Sequence, residues 1–351
     1  MRQDVLDAIA LKMPRKVPCK EAMNNRELFL HGSGIDPETD IVTAFVKTAE
    51  VYGVDFLGGV PEQEGITRIR PGQTQQWGRQ TVTAAPLGVF PTLSVSGYGF
   101  HTVEEVYGYE PETDDPVTAE STYLNYKAFY ERSAALLGEI AVPYYLYYTV
   151  LFMWSVQTFG WELFMEAAMA DPEAFDGLLE KFSRQTERHL EGWSRLGLPF
   201  IMVHDDIAMS TGPVFHPDWY DKYVFPRYRR MFAPLREKGV KVIFTSDGNI
   251  DRFIDPLCDC GVDGFMIETP ATDFDNILRK CGKDKVIIGG IDTCKLTFGT
   301  PDEVYSHTEK IMKKGREYPG FFVSSPGGLH GNISWPNMEA YFAAKTRYGV
   351  R

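Results

Sequence analysis

Potential acids, bases and metal ligands stand directly after short apolar runs in the second half of the chain. These residues are Asp205, Asp206, Asp247, Glu268, Asp292 and His330. Carboxylates and imidazoles can donate or accept protons during catalysis, and they can also bind a divalent metal ion. If these side chains meet in space, they form an acid–base site or a metal site.

The apolar runs show which elements must position these side chains. The runs LPFIMV, VKVIF, VDGFMI, KVIIGG and GFFVSS predict strands, and helical stretches separate them. This alternation is typical of a parallel sheet that helices cover on both faces. We therefore predict an α/β fold, a (β/α)8 barrel of the TIM type. Such a barrel collects its functional groups at the C-terminal ends of its strands, around one mouth.

A structural interpretation of the same residues stays open. Polar residues after a strand are also ordinary helix caps and turn formers. Asp206 and Asp292 suit that structural role best. Recurrence over consecutive strand–helix units nevertheless favours a functional role for the set as a whole.

Composition excludes several classes of protein. A net charge of −12 and an isoelectric point near 5.1 argue against a nucleic-acid partner. The first residues do not resemble a signal peptide, and no apolar run reaches membrane-spanning length, so we expect a cytoplasmic protein with no membrane partner. Its five cysteines, an odd number, do not suggest a disulfide framework. Cys258 and Cys260 could bind metal, but helix packing is the favoured interpretation.

The first half of the chain adds a strand and an irregular segment. VDFLGG (residues 54–59) is predicted to be the first barrel strand. Residues 60–117 form an aromatic-rich insertion, either a lid over the mouth or a peripheral β-hairpin. No linker or composition break divides residues 1–351, which predicts one domain.

An unusually aromatic run follows at residues 140–154, and it predicts a buried strand that passes into a loop. Tyr147, Tyr148 and Trp154 could wall a pocket for a flat ligand, because such side chains combine apolar faces with polar tips. Ordinary core packing is the alternative. GxGxxG, P-loop, GxSxG and HExxH motifs are absent, as is the Asp-x-His-x-x-Gly pattern of proteins that carry their own cobalamin.

Several motifs together resemble one known family. The segment DDIAMSTGPVFHPDWYDKYVFPRYRRMF resembles a pattern of the uroporphyrinogen decarboxylase superfamily, with His216-Pro217 in place of Ser-Pro. Further matches are TSDGN at 245–249, GGID at 289–292, GGLHGN with PNMEAYFAA near the end, and Arg15 with Pro18 after the first helix. The resemblance covers nearly the whole chain.

The resemblance implies a (β/α) barrel and two branches of activity. One branch contains porphyrinogen decarboxylases, whose N-terminal arginines hold substrate carboxylates. Here the matching segment, KEAMNNRELF, has Arg26 as its only arginine. A ligand with many carboxylates needs positive charge around it, whereas the predicted rim is negatively charged. Haem-pathway decarboxylation is therefore not expected. The other branch moves methyl groups between small methylated compounds, corrinoid proteins and thiol or folate acceptors.

Zinc-dependent thiol methyltransferases of the family resemble one another in H-x-C and a distant Cys. This chain has Thr245 and Asp247 at the first two positions and Gly327-Gly328 at the third. A sulfur-rich site is therefore not expected. Asp247, Glu268 and His330 could instead hold zinc or another divalent ion through oxygen and nitrogen.

These arguments lead to one functional hypothesis and two alternatives. We expect a methyltransferase that demethylates a small methylated compound, such as a methoxylated aromatic, and passes the methyl group to a separate corrinoid protein carrying the cobalamin. The candidate residues are Asp247, Glu268, His330 and Asp205 for catalysis, and Tyr147, Tyr148, Trp154 and Asn249 for substrate binding. A decarboxylase or lyase using Asp205 or Asp247, and a non-catalytic ligand-binding protein, remain alternatives. A homodimer is also left open.

Overall fold

The structure, a computed structural model, describes residues 2–67 and 70–351. Its helices are α1 (Arg2–Ile9), α2 (Arg26–Ser33), α3 (Pro37–Tyr52), α4 (Gln63–Thr67), α5 (Val103–Tyr107), α6 (Pro111–Asp114), α7 (Ala119–Leu137), α8 (Phe152–Phe159), α9 (Trp161–Ala170), α10 (Pro172–Ser194), α11 (Pro217–Tyr223), α12 (Phe225–Glu237), α13 (Ile254–Asp259), α14 (Phe274–Cys281), α15 (Thr293–Phe298), α16 (Pro301–Gly315) and α17 (Trp335–Gly349). Its strands are β1 (Met23–Asn24), β2 (Phe56–Leu57), β3 (Thr74–Trp77), β4 (Gln80–Ala85), β5 (Thr92–Gly97), β6 (Val142–Pro143), β7 (Leu146–Tyr148), β8 (Phe200–His204), β9 (Ala208–Met209), β10 (Gly212–Pro213), β11 (Lys241–Ser246), β12 (Gly264–Ile267), β13 (Val286–Gly290), β14 (Phe321–Ser324) and β15 (Leu329–His330).

A closed parallel sheet forms the centre of the molecule. Its largest part has the strand order β14-β13-β12-β11-β8-β7. Along the chain β6 leads directly into β7, and β6 pairs in parallel with β2. Lys20 bridges to Phe56 of β2, and Cys19 bridges to Val323 of β14, so the last gap in the ring is closed. The predicted (β/α) barrel is confirmed.

The first barrel strand differs from the prediction. Residues 54–59 contain β2, but the segment at Cys19 and Lys20 precedes it in the barrel and pairs with both β2 and β14. This segment makes only isolated bridges, and it carries Lys20 and Glu21 where a buried strand would carry apolar residues. Periodicity could not identify it for that reason.

The other predicted elements are largely present. The five apolar runs of the second half form β8, β11, β12, β13 and β14. The helical stretch between β10 and β11 is two helices, α11 and α12, that meet at Val224. The end of the aromatic run is not a loop, because α8 begins at Phe152. Helix α2 was not predicted.

The barrel interior is packed with apolar side chains. Phe200, Met202 and Ile243 contribute to a buried cluster whose other members come from the neighbouring strands and from α1. Alternate residues of each strand point inward, as in other barrels of this type. The filled interior leaves polar chemistry to the strand ends.

Helix α10 illustrates how the outer layer forms. Asp171 caps its N-terminus by accepting hydrogen bonds from the backbone N–H groups of Glu173 and Ala174, and Pro172 occupies the first turn. Phe175, Leu178, Leu179 and Phe182 are buried at helical spacing. This apolar stripe packs α10 against the rest of the molecule.

The insertion contains a three-stranded antiparallel sheet, β3-β4-β5. The loop after β4 lies on the barrel rim, because the Asn24 side chain donates to the backbone oxygen of Phe90 and accepts from its N–H. The β-hairpin interpretation is thus confirmed for this part, and its loop also reaches the strand ends. Over the described ranges, no helix combines the length and apolar character needed to cross a lipid bilayer.

Candidate functional site

Two neighbouring strands bring an imidazole and two carboxylates together. His204 at the end of β8 pairs in register with Thr245 of β11, which places Asp206 across from Asp247. One oxygen of Asp206 lies 2.8 Å from Nε2 of His204 and also accepts, at 2.8 Å, the backbone N–H of Asp247. In the described part of the chain, His204, Asp206 and Asp247 are the one group of three potential metal ligands with ligand atoms all within 4.8 Å of one another. We call this group the mouth cluster.

Glu268 borders the mouth cluster from the next strand. Its Oε2 accepts a hydrogen bond of 3.0 Å from the backbone N–H of Gly248, directly after Asp247. Gly248 has a φ of +89°, and a Cβ there would lie 2.4 Å from the backbone oxygen of Ala208. Only glycine fits this turn, which directs its N–H towards Glu268.

Electrostatics in the cluster raise the pKa of both Asp247 and His204. Burial, the charge of Asp206 and the charge of Glu268 raise the pKa of Asp247 to about 6, although His204 opposes them. The Asp247 side chain also reaches solvent, which moderates this shift. Burial lowers the pKa of His204, but the hydrogen bond and charge of Asp206 outweigh it and raise the pKa overall. Excess negative charge therefore collects at this end of the barrel.

Tyr148 and Lys20 complete the surroundings. The Tyr148 ring meets the His204 ring edge to face, with centroids 4.5 Å apart. Lys20 is only 4% exposed, and its ammonium nitrogen lies 5.8 Å from the ring centroid of Tyr144. The positive charge of Lys20 also lowers the pKa of Asp247. Neither His204 nor Lys20 was identified from the sequence. The available signal was a histidine or a lysine inside an otherwise buried strand segment.

An apolar pocket of about 400 Å³ opens beside Lys20 and Tyr144. It is lined by Glu21, Ala22, Met23, Asn24, Phe45, Gly58, Gly59, Val60, Pro61, Phe90, Phe129 and Tyr144. Gly59 has a φ of +98°, and a Cβ there would lie 2.5 Å from the Phe129 ring. Gly58 and Gly59 directly follow β2, so the pocket opens at the same end of the barrel as the mouth cluster, and the charge of Lys20 acts on Asp247.

The aromatic residues predicted to bind substrate occupy different places. Tyr148 lies at the mouth against His204. The buried Tyr147 places its hydroxyl 3.3 Å from that of Thr186, and Trp154 packs edge to face on Phe182. Tyr147 therefore belongs to the layer between the barrel and its helices. Their role in substrate binding stays a prediction, and other aromatic side chains line the pocket described above.

Asn249 caps the turn that follows the mouth cluster. Its side-chain oxygen accepts the backbone N–H of Asp251 at 3.0 Å, and its own N–H donates to the backbone oxygen of Met209. This pairing holds the loop after β11 against the loop after β8. Substrate binding by Asn249 stays a prediction.

Asp205 points away from the mouth cluster. Its fully buried carboxylate accepts hydrogen bonds from the backbone N–H groups of Leu151, Phe152 and Met153 and from the Tyr228 hydroxyl. Burial raises its pKa to about 6 against the effect of these bonds. The carboxylate thus caps the start of α8, and its predicted catalytic role has no support from this geometry.

His330 lies outside the mouth cluster. It belongs to β15, which pairs with β1, and its Nδ1 accepts the backbone N–H of Asn332 at 3.3 Å. Burial lowers its pKa. The metal set predicted from the sequence therefore shares only Asp247 with the group that the structure assembles. Asp292 caps α15 through the N–H of Lys295, which agrees with its structural interpretation.

The mouth cluster fits a divalent metal better than it fits a thiol-bound zinc. Its potential donors are one imidazole nitrogen and carboxylate oxygens, the combination used for zinc and for harder divalent ions. At the His and Cys positions of the H-x-C pattern the structure has Thr245 and Asp247, and Gly327-Gly328 stands where the distant Cys would lie. An ion held here would supply positive charge to an otherwise acidic mouth.

Comparisons with known proteins agree with this architecture. Uroporphyrinogen decarboxylases from Carboxydothermus hydrogenoformans and Geobacillus thermodenitrificans are 26% identical over 168 residues and 24% identical over 251 residues. The first match covers 48% of this chain and 46% of the Carboxydothermus protein, so it spans less than half of that relative. The second covers 70% of this chain and 68% of the Geobacillus protein.

A methyltransferase from Methanosarcina mazei shares the fold over 99% of this chain and 98% of its own, with a TM-score of 0.61 and 14% identity. The uroporphyrinogen decarboxylase (URO-D) family model matches residues 108–348, from the end of the insertion to the last helix. With the parallel barrel and the motifs at its strand ends, this match shows that the chain belongs to the uroporphyrinogen decarboxylase family.

Proposed function

We propose that this chain is a methyltransferase that removes a methyl group from a small methylated compound and transfers it to a separate corrinoid protein. The aromatic-walled pocket and the acidic mouth cluster, both at the C-terminal ends of the barrel strands, carry this proposal. The full-length likeness to a methyltransferase supports the same branch of the family. Methoxylated aromatics are the first substrates to test.

The shape and chemistry of the pocket support a flat apolar substrate. Phe45, Phe90, Phe129 and Tyr144 supply aromatic surface, and a volume of about 400 Å³ suits a single substituted ring. Rings stack on such side chains in offset or edge-to-face geometries. The pocket would hold the ring while the methyl group faces the mouth.

Methyl transfer from an ether needs help for the departing oxygen. An alkoxide or phenoxide leaves more readily when a proton or a cation meets the developing charge. Asp247, Glu268 and His330 were the candidates from the sequence. The mouth cluster favours Asp247 for this role, with Glu268 beside it.

The corrinoid is proposed to lie on a partner protein, since the sequence has no cobalamin motif of its own. The partner would approach the open end of the barrel, where the methyl group is presented. The partner's corrinoid would supply the nucleophile that accepts the methyl group, and Asp247 would stabilise the oxygen that leaves with the electrons of the broken carbon–oxygen bond.

The proposal is tested by mixing the protein with methyl donors and a cob(I)alamin carrier, and by following methylcobalamin through its visible absorption. We expect methylcobalamin with at least one methoxylated aromatic, and a loss of more than tenfold in rate for Asp247→Ala. Asp302→Asn, an exposed change in the first turn of α16, is the matched control and should keep the rate. No methylcobalamin with any donor would contradict the proposal.

A decarboxylase or lyase is the second candidate, because both curated relatives described above are uroporphyrinogen decarboxylases. The buried Lys20 would then hold a substrate carboxylate close to the pocket. This function predicts release of carbon dioxide from a small acid without cobalamin, and the same assay with a carbon dioxide detector separates the two. If Asp247→Ala and His330→Ala both left the physiological function intact, a non-catalytic role would be favoured.

A further inference from the structure

The mouth cluster has the donors and the charge of a metal site. We infer that His204, Asp206 and Asp247 bind one divalent cation at the C-terminal ends of β8 and β11, with Glu268 next to the ion. This donor set differs from the one predicted from the sequence, because it includes His204 and excludes His330. The inference does not depend on the proposed methyl transfer.

Geometry supports a single ion. The potential ligand atoms of the three residues lie within 4.8 Å of one another, and Nε2 of His204 is 2.8 Å from Asp206. Adjacent ligands of an ion with bonds of about 2.1 Å lie roughly 3 Å apart. His204 and Asp206 already have this spacing. Asp247 reaches solvent, so its side chain can rotate by the remaining distance without disturbing the core.

The positions of the ligands follow from the barrel. Parallel pairing sets His204 beside Thr245, so the residues two positions later on the two neighbouring strands lie side by side at the mouth. The N–H of Asp247 is bonded to Asp206, which fixes the two chain segments relative to each other. The site is therefore held by rigid strand ends rather than by a free loop.

Charge favours a cation. Asp206, Asp247 and Glu268 bring three carboxylates together, and Lys20 is the buried cation that acts on Asp247. Carboxylates this close together repel one another when all of them are ionised. A divalent ion would relieve this repulsion and would keep the carboxylates ionised.

Buried polar atoms next to the cluster form a second, independent observation. The hydroxyl of Thr245 and Nδ1 of His204 have no hydrogen-bond partner among the residues that the structure describes. Thr245 is 3% exposed and His204 is 7% exposed. Polar groups buried this deeply are normally satisfied. Because the two residues are paired in register on neighbouring strands, both unpartnered atoms lie beside the mouth cluster.

The donor types restrict which ion is expected. One nitrogen and two carboxylates, with no sulfur, suit zinc, cobalt(II), manganese(II) and iron(II) better than copper(I). The exposed side of Asp247 leaves room for exchangeable ligands, which is typical of metal sites that contact a substrate.

The test is direct metal binding by the purified protein. After chelator treatment and dialysis, cobalt(II) is titrated while its visible absorption is recorded, and zinc content is measured after equilibrium dialysis. We expect one ion per chain. His204→Gln, Asp206→Asn and Asp247→Asn should each weaken binding by at least about tenfold.

His330→Ala is the control that separates this site from the set predicted from the sequence, and it should keep wild-type affinity. Asp247→Asn changes a solvent-accessible side chain, so it tests the site even if a buried change impairs folding, which circular dichroism would report. Binding below one ion per two chains, or wild-type affinity in both His204→Gln and Asp247→Asn, would overturn the inference. Metal binding without methyl transfer would leave it standing and would count only against the proposed function.

Discussion

Three consecutive residues, His204, Asp205 and Asp206, have different roles. His204 and Asp206 meet in the mouth cluster, and Asp205 between them caps a helix in the outer layer. Alternation along a strand sends neighbouring side chains to opposite faces. The run His204-Asp205-Asp206 therefore serves two separate places, the mouth cluster and the start of α8.

Replacing the Asp205 carboxylate should lower the stability of the folded protein. Asp205→Asn replaces a carboxylate that accepts several hydrogen bonds with an amide whose N–H₂ group faces other donors. We expect the free energy of unfolding to fall by about 2–4 kcal/mol. Tyr228→Phe removes only the hydroxyl bonded to Asp205 and should cost about 1–2 kcal/mol. Urea denaturation measures both.

The exposed change Asp302→Asn serves as the control for these two variants, and it should alter stability by less than about 0.5 kcal/mol. If Asp205→Asn kept wild-type stability and lost activity instead, Asp205 would be catalytic as the sequence suggested.

At the scale of elements, α7 is joined to α10 by a partly buried series of polar contacts. The Tyr126 hydroxyl lies 2.7 Å from Nδ1 of His189, and Nε2 of the same imidazole lies 2.7 Å from the carboxylate of Asp115. The Gln185 amide donates to that carboxylate as well. Apolar contacts alone would allow the two helices to slide along each other. These polar contacts fix the position of α7 relative to α10.

The Asp115 contact predicts a pH dependence of stability. Burial raises the pKa of Asp115, but hydrogen bonds from His189 and Gln185 outweigh it and lower the pKa below the ordinary value of 3.8. The ionised form is therefore stabilised in the folded protein. Its contribution should be complete above about pH 4 and should disappear as pH falls through the lowered folded value.

The measurement compares wild type with Asp115→Asn by denaturant unfolding between pH 3 and pH 7. The carboxylate is 35% exposed, so solvent screening limits the expected difference to about 0.5–1 kcal/mol near neutrality. The difference should shrink at the acidic end. A gap that stays constant down to the lowest pH would refute the assignment.

At the scale of the whole molecule, α1 closes the barrel at the end opposite the site. Val5, Ala8 and Ile9 belong to the same buried cluster as the inward-facing strand residues. The chain then returns through Cys19 and Lys20 to complete the ring of strands. The N-terminal segment therefore covers the end of the barrel opposite the site and supplies the strand segment that completes the ring.

Ile9→Ala should destabilise the whole barrel. Ile9 is 2% exposed, and truncation leaves a cavity beneath strands that cannot collapse independently, so the expected cost is about 2–4 kcal/mol in the free energy of unfolding. Gln3→Ala, on the exposed face of the same helix, should change it by less than about 0.5 kcal/mol. Equal effects of the two variants would show that α1 does not plug the barrel.

Local patterns were sufficient for the barrel and for the end of it that carries function. Apolar runs such as those of β8 and β11, each followed by acids, depend on short-range periodicity and turn chemistry, which a sequence displays directly. The same patterns placed Asp247 and Glu268 at the mouth. They favoured Asp205 for catalysis and Asp206 for a structural role, whereas the structure places Asp206 in the mouth cluster and Asp205 at the start of α8.

Tertiary structure alone decided which polar side chains meet. The pairing of His204 with Thr245, the closure through Lys20, and the position of His330 beside β1 all join segments far apart in the chain. Register and closure arise from the packing of the whole sheet, since no local signal specifies the partner of a strand. The mouth cluster and its pocket therefore exist only once the ring is complete.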